Sequence, residues 1–216
     1  MQTAIGSTKP RNQLQPGAFS AEEMQRIRSA VIKKYAAVSS SAAGFFKYPV
    51  GKEGALQLGY SQELLDAIPD TLLNAFCGVG NPLNIEDIAA GSCVLDIGCG
   101  AGFDLFAASR LTGGTGRVFG VDLSREMVAR ARANLAALQA NNYEVLEITS
   151  ETLPFSNHTF DVVVSNGVIN LSPDKARLFA EIHRVLKPGG RLQFADIILE
   201  KELPPHLAAG VESWSQ

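Results

Sequence analysis

The stretch VLDIGCGAG, Val94 to Gly102, decides the fold. It opens as a short apolar run, passes through Asp96, and sets Gly98, Gly100 and Gly102 at alternate positions before the helical pattern AGFDLFAASRL. Glycine lacks the side chain that would hold a ligand away from the backbone, so a strand ending in this turn allows a close approach. The helix behind it directs free N–H groups toward an anionic ligand group.

Working outward, Asp122 closes the next apolar run, RVFGVDL, twenty residues beyond Gly102. A carboxylate there can accept both ribose hydroxyls of an adenosine. A nicotinamide cofactor would call for G-x-G-x-x-G, whereas the spacing here is G-x-G-x-G, which disfavours a nicotinamide-dependent oxidoreductase. Further strands are expected at YEVLEI, FDVVVSN and RLQFADIIL. Helices are expected at SREMVARARANLAALQ, capped by Ser124, and at SPDKARLFAEIHRVL, capped by Ser172 with Pro173 in its first turn and ended by KPGG. Strands alternating with helices predict an α/β fold with a mostly parallel, doubly wound sheet of about five strands. Ligands of such sheets bind at the carboxyl ends of the strands, so the tips of the first, second and fourth strands should converge.

The remaining chain sets the frame. Residues 1–19 read as a flexible arm. SAEEMQRIRSAVIKKYAAV predicts a helix in which Ser20 and Glu23 form a capping box and Met24, Ile27, Val31 and Tyr35 share one face. SQELLDAI and TLLNAF are short helical pieces, so residues 20–90 are expected to form a helical N-terminal lobe that serves as a substrate cap. Residues 91–199 form the ligand-binding domain and residues 200–216 a short tail. With 216 residues, 46% of them hydrophobic, one domain with a sizeable core is expected. The net charge of −3 comes without a basic stripe, which speaks for a small-molecule substrate and against nucleic acid. Three cysteines, no signal-peptide pattern and no long apolar run point to a cytoplasmic protein that does not enter a membrane.

The glycine turn with Asp96 before it resembles motif I of the Rossmann-like methyltransferases that use S-adenosylmethionine. Leu153-Pro154-Phe155, Phe160-Asp161 and Leu186-Lys187-Pro188-Gly189-Gly190 resemble later segments of the same class. Within it, SNGVINLSPDK, GVGNP and ADIILEKELP are similar to the arsenite methyltransferase family. The resemblance covers about residues 75–216. It implies a cofactor site in which Asp96, Gly98, Cys99, Gly100 and Gly102 cradle the methionine end, Asp122 holds the ribose and Leu123 lies against adenine. It also places Thr149, Ser150 and Glu151 beside the adenine amine, and Asn166 and Val168 on the far side. Asn166, Gly167 and Cys77 are the candidates for the acceptor side.

The same resemblance exposes a departure. The family holds arsenic(III) with cysteine thiolates, which suit a thiophilic centre. Here Gly167 stands where the family has the Cys of SNCVINL, and Val79 stands where it has the Cys of GCG, with Cys77 two residues earlier. A further family cysteine lies beyond the segment resembling VESWSQ. Cys93 and Cys99 sit at opposite ends of the first strand and its turn, roughly 20 Å apart, too far to share one ion. The expectation is that cofactor binding is kept while arsenite methylation is weak or absent. A small organic acceptor and a non-catalytic cofactor- or partner-binding role stay open.

Methyl transfer from a sulfonium needs alignment and desolvation more than a dedicated catalytic residue. His158, His183 and His206 read as surface or structural, and no metal-ligand spacing stands out. GFFKYPVGKEGALQLGY, with Phe45, Phe46, Tyr48 and Tyr60, is a candidate lid or a packing segment. Folds of this class usually carry seven strands, so the last two are expected to be missing. The fifth strand would then be an edge covered by a homodimer contact or another segment.

Overall fold

Ser20 starts the first helix as its spacing from Glu23 predicts. In the computed structural model, which describes residues 19–198, the Glu23 N–H donates to Ser20 Oγ at 3.2 Å and the Ser20 N–H to the Glu23 carboxylate at 2.8 Å. Two donors at the helix start are thereby satisfied reciprocally. This helix, α1 (Ala21–Val38), buries Ile27, Val31 and Val38. Three short helices follow: α2 (Gly51–Gln57), α3 (Gln62–Asp66) and α4 (Asp70–Leu73). The first of these lies inside the segment expected to be a lid or a packing segment. Gly54 explains its compactness, because a Cβ there would collide with the Pro49 carbonyl.

The sheet is built from β1 (Cys93–Ile97), β2 (Arg117–Asp122), β3 (Tyr143–Glu147), β4 (Phe160–Asn166) and β5 (Leu186–Ala195). Their order is β3-β2-β1-β4-β5 and every neighbouring pair is parallel. Between strands run α5 (Phe103–Thr112), α6 (Arg125–Ala137) and α7 (Lys175–Val185). The near-continuous burial of β1 and β4 is that of parallel strands covered on both faces. Val94, Val118 and Val162 pack with α5, α6 and the N-terminal helices. Their neighbours Leu95, Val121 and Val163 face the other way, onto Leu178, Ile182 and Val185 of α7. The doubly wound reading is borne out, and residues of the N-terminal lobe such as Val38, Leu72 and Phe76 share the sheet's own core.

Strand order reverses between β1 and β4, which opens a crevice at their carboxyl ends. That crevice is where the sequence expects a ligand.

Two local expectations need correction. The fifth strand was expected at residues 191–199, after KPGG. It begins at Leu186, pairs with Phe160 and then resumes at Arg191 opposite Val162. Two steps along β4 are thus matched by five along β5, and Gly189, at φ +80°, lets the extra residues bulge out. Helix α7 is capped by Asp174, whose side chain accepts from the Arg177 N–H. Ser172 lies before the helix and accepts from the Asp174 N–H at 3.2 Å. The arm, the tail and His206 lie outside the described residues. Among the described residues no helix is long and apolar enough to cross a membrane.

Candidate active site

The turn after β1 is locked to the end of β2. The Gly98 and Cys99 N–H groups both donate to the Val121 carbonyl, at 2.8 and 3.0 Å. Asp122 then joins two loops: Oδ2 accepts from the Gly100 N–H at 2.9 Å and Oδ1 from the Ser124 N–H at 2.8 Å. Gly98 has φ +71°, and a Cβ on it would collide with the Val168 side chain. The glycine therefore lets the first strand's tip close against the segment after β4. Gly102, at φ +95°, lies beneath α6, where a Cβ would stand 3.3 Å from Ala131 Cβ.

Two cavities meet along Tyr35, Gly98 and Asp122. The first is largely apolar, with Val31, Ile32, Leu123, Ile148 and Leu178 among its walls. The second holds three carboxylates: Asp96, Asp104 and Asp122. Burial pushes Asp104 and Asp122 up to about 6. Asp96 is raised well above the usual carboxylate range, first by burial and then by the other two carboxylates. Its Oδ2 is buried with no hydrogen-bond partner among the described residues. An unpartnered buried carboxylate oxygen is costly, and a cationic ligand group would relieve it.

An apolar cavity joined to an acidic one fits S-adenosylmethionine. Its adenosine suits the first side, its ammonium and sulfonium the second, and its ribose the boundary carboxylate, Asp122.

The structure gathers most of the predicted site residues. Asp96, Cys99, Gly100, Asn166, Gly167 and Cys77 line the acidic cavity. Leu123, Ser150, Glu151 and Val168 line the apolar one, and Gly98 and Asp122 line both. Thr149 is exposed, and its neighbours Ile148 and Ser150 face the cavity in its place. Gly102 sits under α6 and serves packing.

Several polar groups are already engaged. The Glu151 carboxylate pairs with Arg28 and accepts from Ser172 Oγ at 3.0 Å. The Cys99 sulfur packs against Gly120. Burial, with Asp122 next, pushes the Cys77 thiol up to about 12, so it is neutral at physiological pH.

The aromatic segment divides. Phe45 is exposed, Tyr48 donates to the Cys77 carbonyl at 3.0 Å, and Tyr60 is buried edge-on against Phe76 and Phe103. His158 and His183 are exposed, and His158 Nδ1 lies 3.0 Å from the Leu186 carbonyl. Among the described residues no cluster of three His, Cys, Asp or Glu side chains could hold a metal.

Sequence reasoning expects a cap from residues 20–90 but missed which residues roof the cavity, and it missed one acid. Arg28, Val31, Ile32 and Tyr35 of α1 cover the apolar cavity. Arg28, next to the buried Ile27, was the available signal. Asp104 is two residues past Gly102 and was read only as part of a helix.

Comparison with known proteins places this geometry. A family model described as a methyltransferase domain matches residues 88–216. The chain is 39% identical over 151 residues to an arsenite methyltransferase of Halobacterium salinarum, covering 70% of this chain and 38% of that protein. It is 30% identical over 204 residues to human arsenite methyltransferase, covering 90% of this chain and 52% of the human protein. The chain thus spans about half the length, or less, of these relatives. A crystal structure of an arsenic(III) S-adenosylmethionine methyltransferase from Chlamydomonas reinhardtii superposes with a TM-score of 0.57 at 31% identity. That match covers 78% of this chain and 57% of the other.

Proposed function

Since the chain belongs to the S-adenosylmethionine-dependent methyltransferase-domain family, we propose that it transfers a methyl group to a small molecule in the manner of the arsenite methyltransferases. The observation that carries this is the unpartnered Asp96 Oδ2 in a three-carboxylate cavity, joined through Asp122 to an apolar one. The donor, when bound, supplies an activated methyl on a sulfonium. Asp96 and Asp104 offer charge to the donor's cationic groups, and Asp122 accepts from the ribose hydroxyls. Leu123 and Ile148 pack on the adenine, and α1 excludes water. In this reading residues 20–90 form the cover and residues 91–199 the donor-binding unit.

On the acceptor side Cys77 is the half-buried thiol of the acidic cavity, while Gly167 and Val79 occupy positions where the resembling family has cysteines. Arsenite turnover by this chain is therefore expected to be weak, and acceptors that need no thiolate ligation are favoured. The unpaired cysteines suit the reducing cytoplasm. Phe194 and Ile198, exposed on and just past the edge strand β5, mark where we place contact with a second copy. Sedimentation showing only monomer at high concentration would remove that part.

Calorimetry with S-adenosylmethionine and with NAD tests the core of the reading. Binding of the first, lost in Asp122→Ala, is the expected result. No binding of S-adenosylmethionine by the folded chain would end the proposal.

A further inference from the structure

We propose that Asn166, Asp104 and Tyr60 act as a positioning cluster that holds the Cys77–Gly80 loop in place as a wall of the methyl-transfer cavity. This rests on the methyltransferase reading for what the cavity does, but the tether itself stands on geometry alone. Asn166 is the last residue of β4, and its amide is fully engaged by protein. Oδ1 accepts from the Val79 N–H at 2.8 Å and the Gly80 N–H at 3.2 Å. Nδ2 donates to the Gly80 carbonyl at 2.8 Å and to Asp104 Oδ2 at 2.9 Å, with Tyr60 Oη at 3.3 Å. Two donors and two acceptors are the whole capacity of an amide. Asn166 thus lines the cavity without a free polar atom to give a ligand.

The cluster is closed on its far side. Tyr60 donates to Asp104 Oδ1, and its oxygen lies 3.3 Å from the Gly80 carbonyl. Asp104 is in the first turn of α5, behind the glycine turn, and Tyr60 belongs to the N-terminal lobe, so three regions are tied to one loop. That loop has no slack: a Cβ on Gly78 would collide with the Asn166 amide and Phe76. A buried polar network satisfied at every member is rigid, and one broken bond leaves others unpaired. The donor cradle and the acceptor wall are therefore set relative to each other through the Asn166–Asp104 contact.

The readout is the reactivity of Cys77, which sits at the start of the tethered loop. Iodoacetamide labelling with peptide mass mapping follows Cys77 separately from Cys93 and Cys99. Asn166→Ala, Asn166→Asp and Asp104→Asn should each raise the Cys77 rate about tenfold or more, as expected when a buried hydrogen bond loses its partner. Cys99, packed against Gly120 in the core, should stay unreactive, and Asn166→Ala, which removes no polar atom free to meet a ligand, should bind S-adenosylmethionine within about threefold of the parent. The reciprocal pair N166D/D104N restores a donor at 104 and an acceptor at 166, and should recover at least half of the lost protection.

Cys77 reactivity unchanged in all three single variants would overturn the inference. So would equal exposure of Cys99, which would mean global unfolding, or no recovery in the reciprocal pair. Loss of cofactor affinity in Asn166→Ala with Cys77 still protected would make Asn166 a ligand and overturn it as well. Failure of the parent to bind S-adenosylmethionine strikes the proposed function and leaves the Cys77 result to judge the tether.

Discussion

Val79 and Gly167 meet where the GVGNP loop crosses the end of β4: a Cβ on Gly167 would stand 3.3 Å from Val79 Cγ1 and 4.0 Å from Val79 Cβ. These are two of the three positions at which the resembling family carries cysteines, so the structure juxtaposes the sites of two family thiols. A Cβ separation of 4.0 Å lies within the range a disulfide needs. The double variant Val79→Cys, Gly167→Cys should cross-link in air, leaving three titratable thiols of five. When reduced, it should bind phenylarsine oxide as a dithiol, and the parent chain should not. Gly167 has φ +73°, so its cysteine costs about 1–2 kcal/mol in the reduced form. Five titratable thiols after full oxidation would contradict the juxtaposition.

Asp122 both faces the cavity and fixes its floor through the Gly100 and Ser124 N–H groups. Asp122→Ala removes the proposed ribose acceptor and frees both loops, so S-adenosylmethionine affinity should fall about 100-fold, the loss of about two charge-assisted hydrogen bonds. Asp122→Asn keeps one acceptor oxygen and should lose about tenfold. Calorimetry on both variants checks the ranking; equal losses would show that charge alone matters.

The raised carboxylates set a pH dependence. Asp104 and Asp122 sit at about 6, against an ordinary value of 3.8. The folded chain therefore holds protons that the unfolded chain releases between these values. Without ligand, stability contributed by these groups is fully present below about 4 and is lost as pH rises toward 6. A cationic donor favours the ionised carboxylates and reverses the preference. Its affinity should fall as pH drops below 6, by up to about tenfold per pH unit for each proton linked. Binding near pH 6 should release protons, seen as a dependence of the calorimetric heat on buffer ionisation enthalpy. Identical heats at pH 6 in phosphate and Bis-Tris, which differ in ionisation enthalpy, would rule this linkage out.

The sheet was legible because each parallel strand is a short apolar run bounded by turn residues, and the capping signals of α1 and α6 are local. The glycine turn was legible for the same reason: Asp96, the glycines and Asp122 are spaced along one chain segment. What escaped was non-local. The roof over the apolar cavity is made by α1, about seventy residues before the cradle, and periodicity reports only that its face is buried, not what it covers. Asn166 was read as facing the cofactor, yet its amide is consumed by a loop more than eighty residues earlier. Thr149 was placed beside the adenine amine by resemblance, and one residue of register decides whether a side chain faces the cavity or solvent.

Arg28 and Glu151 supply the last prediction. They form an ion pair across 123 positions of sequence, with side chains only 12% and 5% exposed, and join the roof helix to the segment after β3. Glu151 also accepts from Ser172, so its charge is well partnered. Removing Glu151 alone leaves a guanidinium buried, which should cost about 3–5 kcal/mol. Replacing both, as Arg28→Leu with Glu151→Leu, removes the stranded charge and should cost less than the sum of the single changes. Because α1 covers the apolar cavity, the single variants should also release S-adenosylmethionine faster than the parent. Urea unfolding gives the first quantity and stopped-flow displacement the second. A cost below about 1 kcal/mol for Glu151→Ala would mean that the pair behaves as a surface bridge and that α1 is held by apolar packing alone.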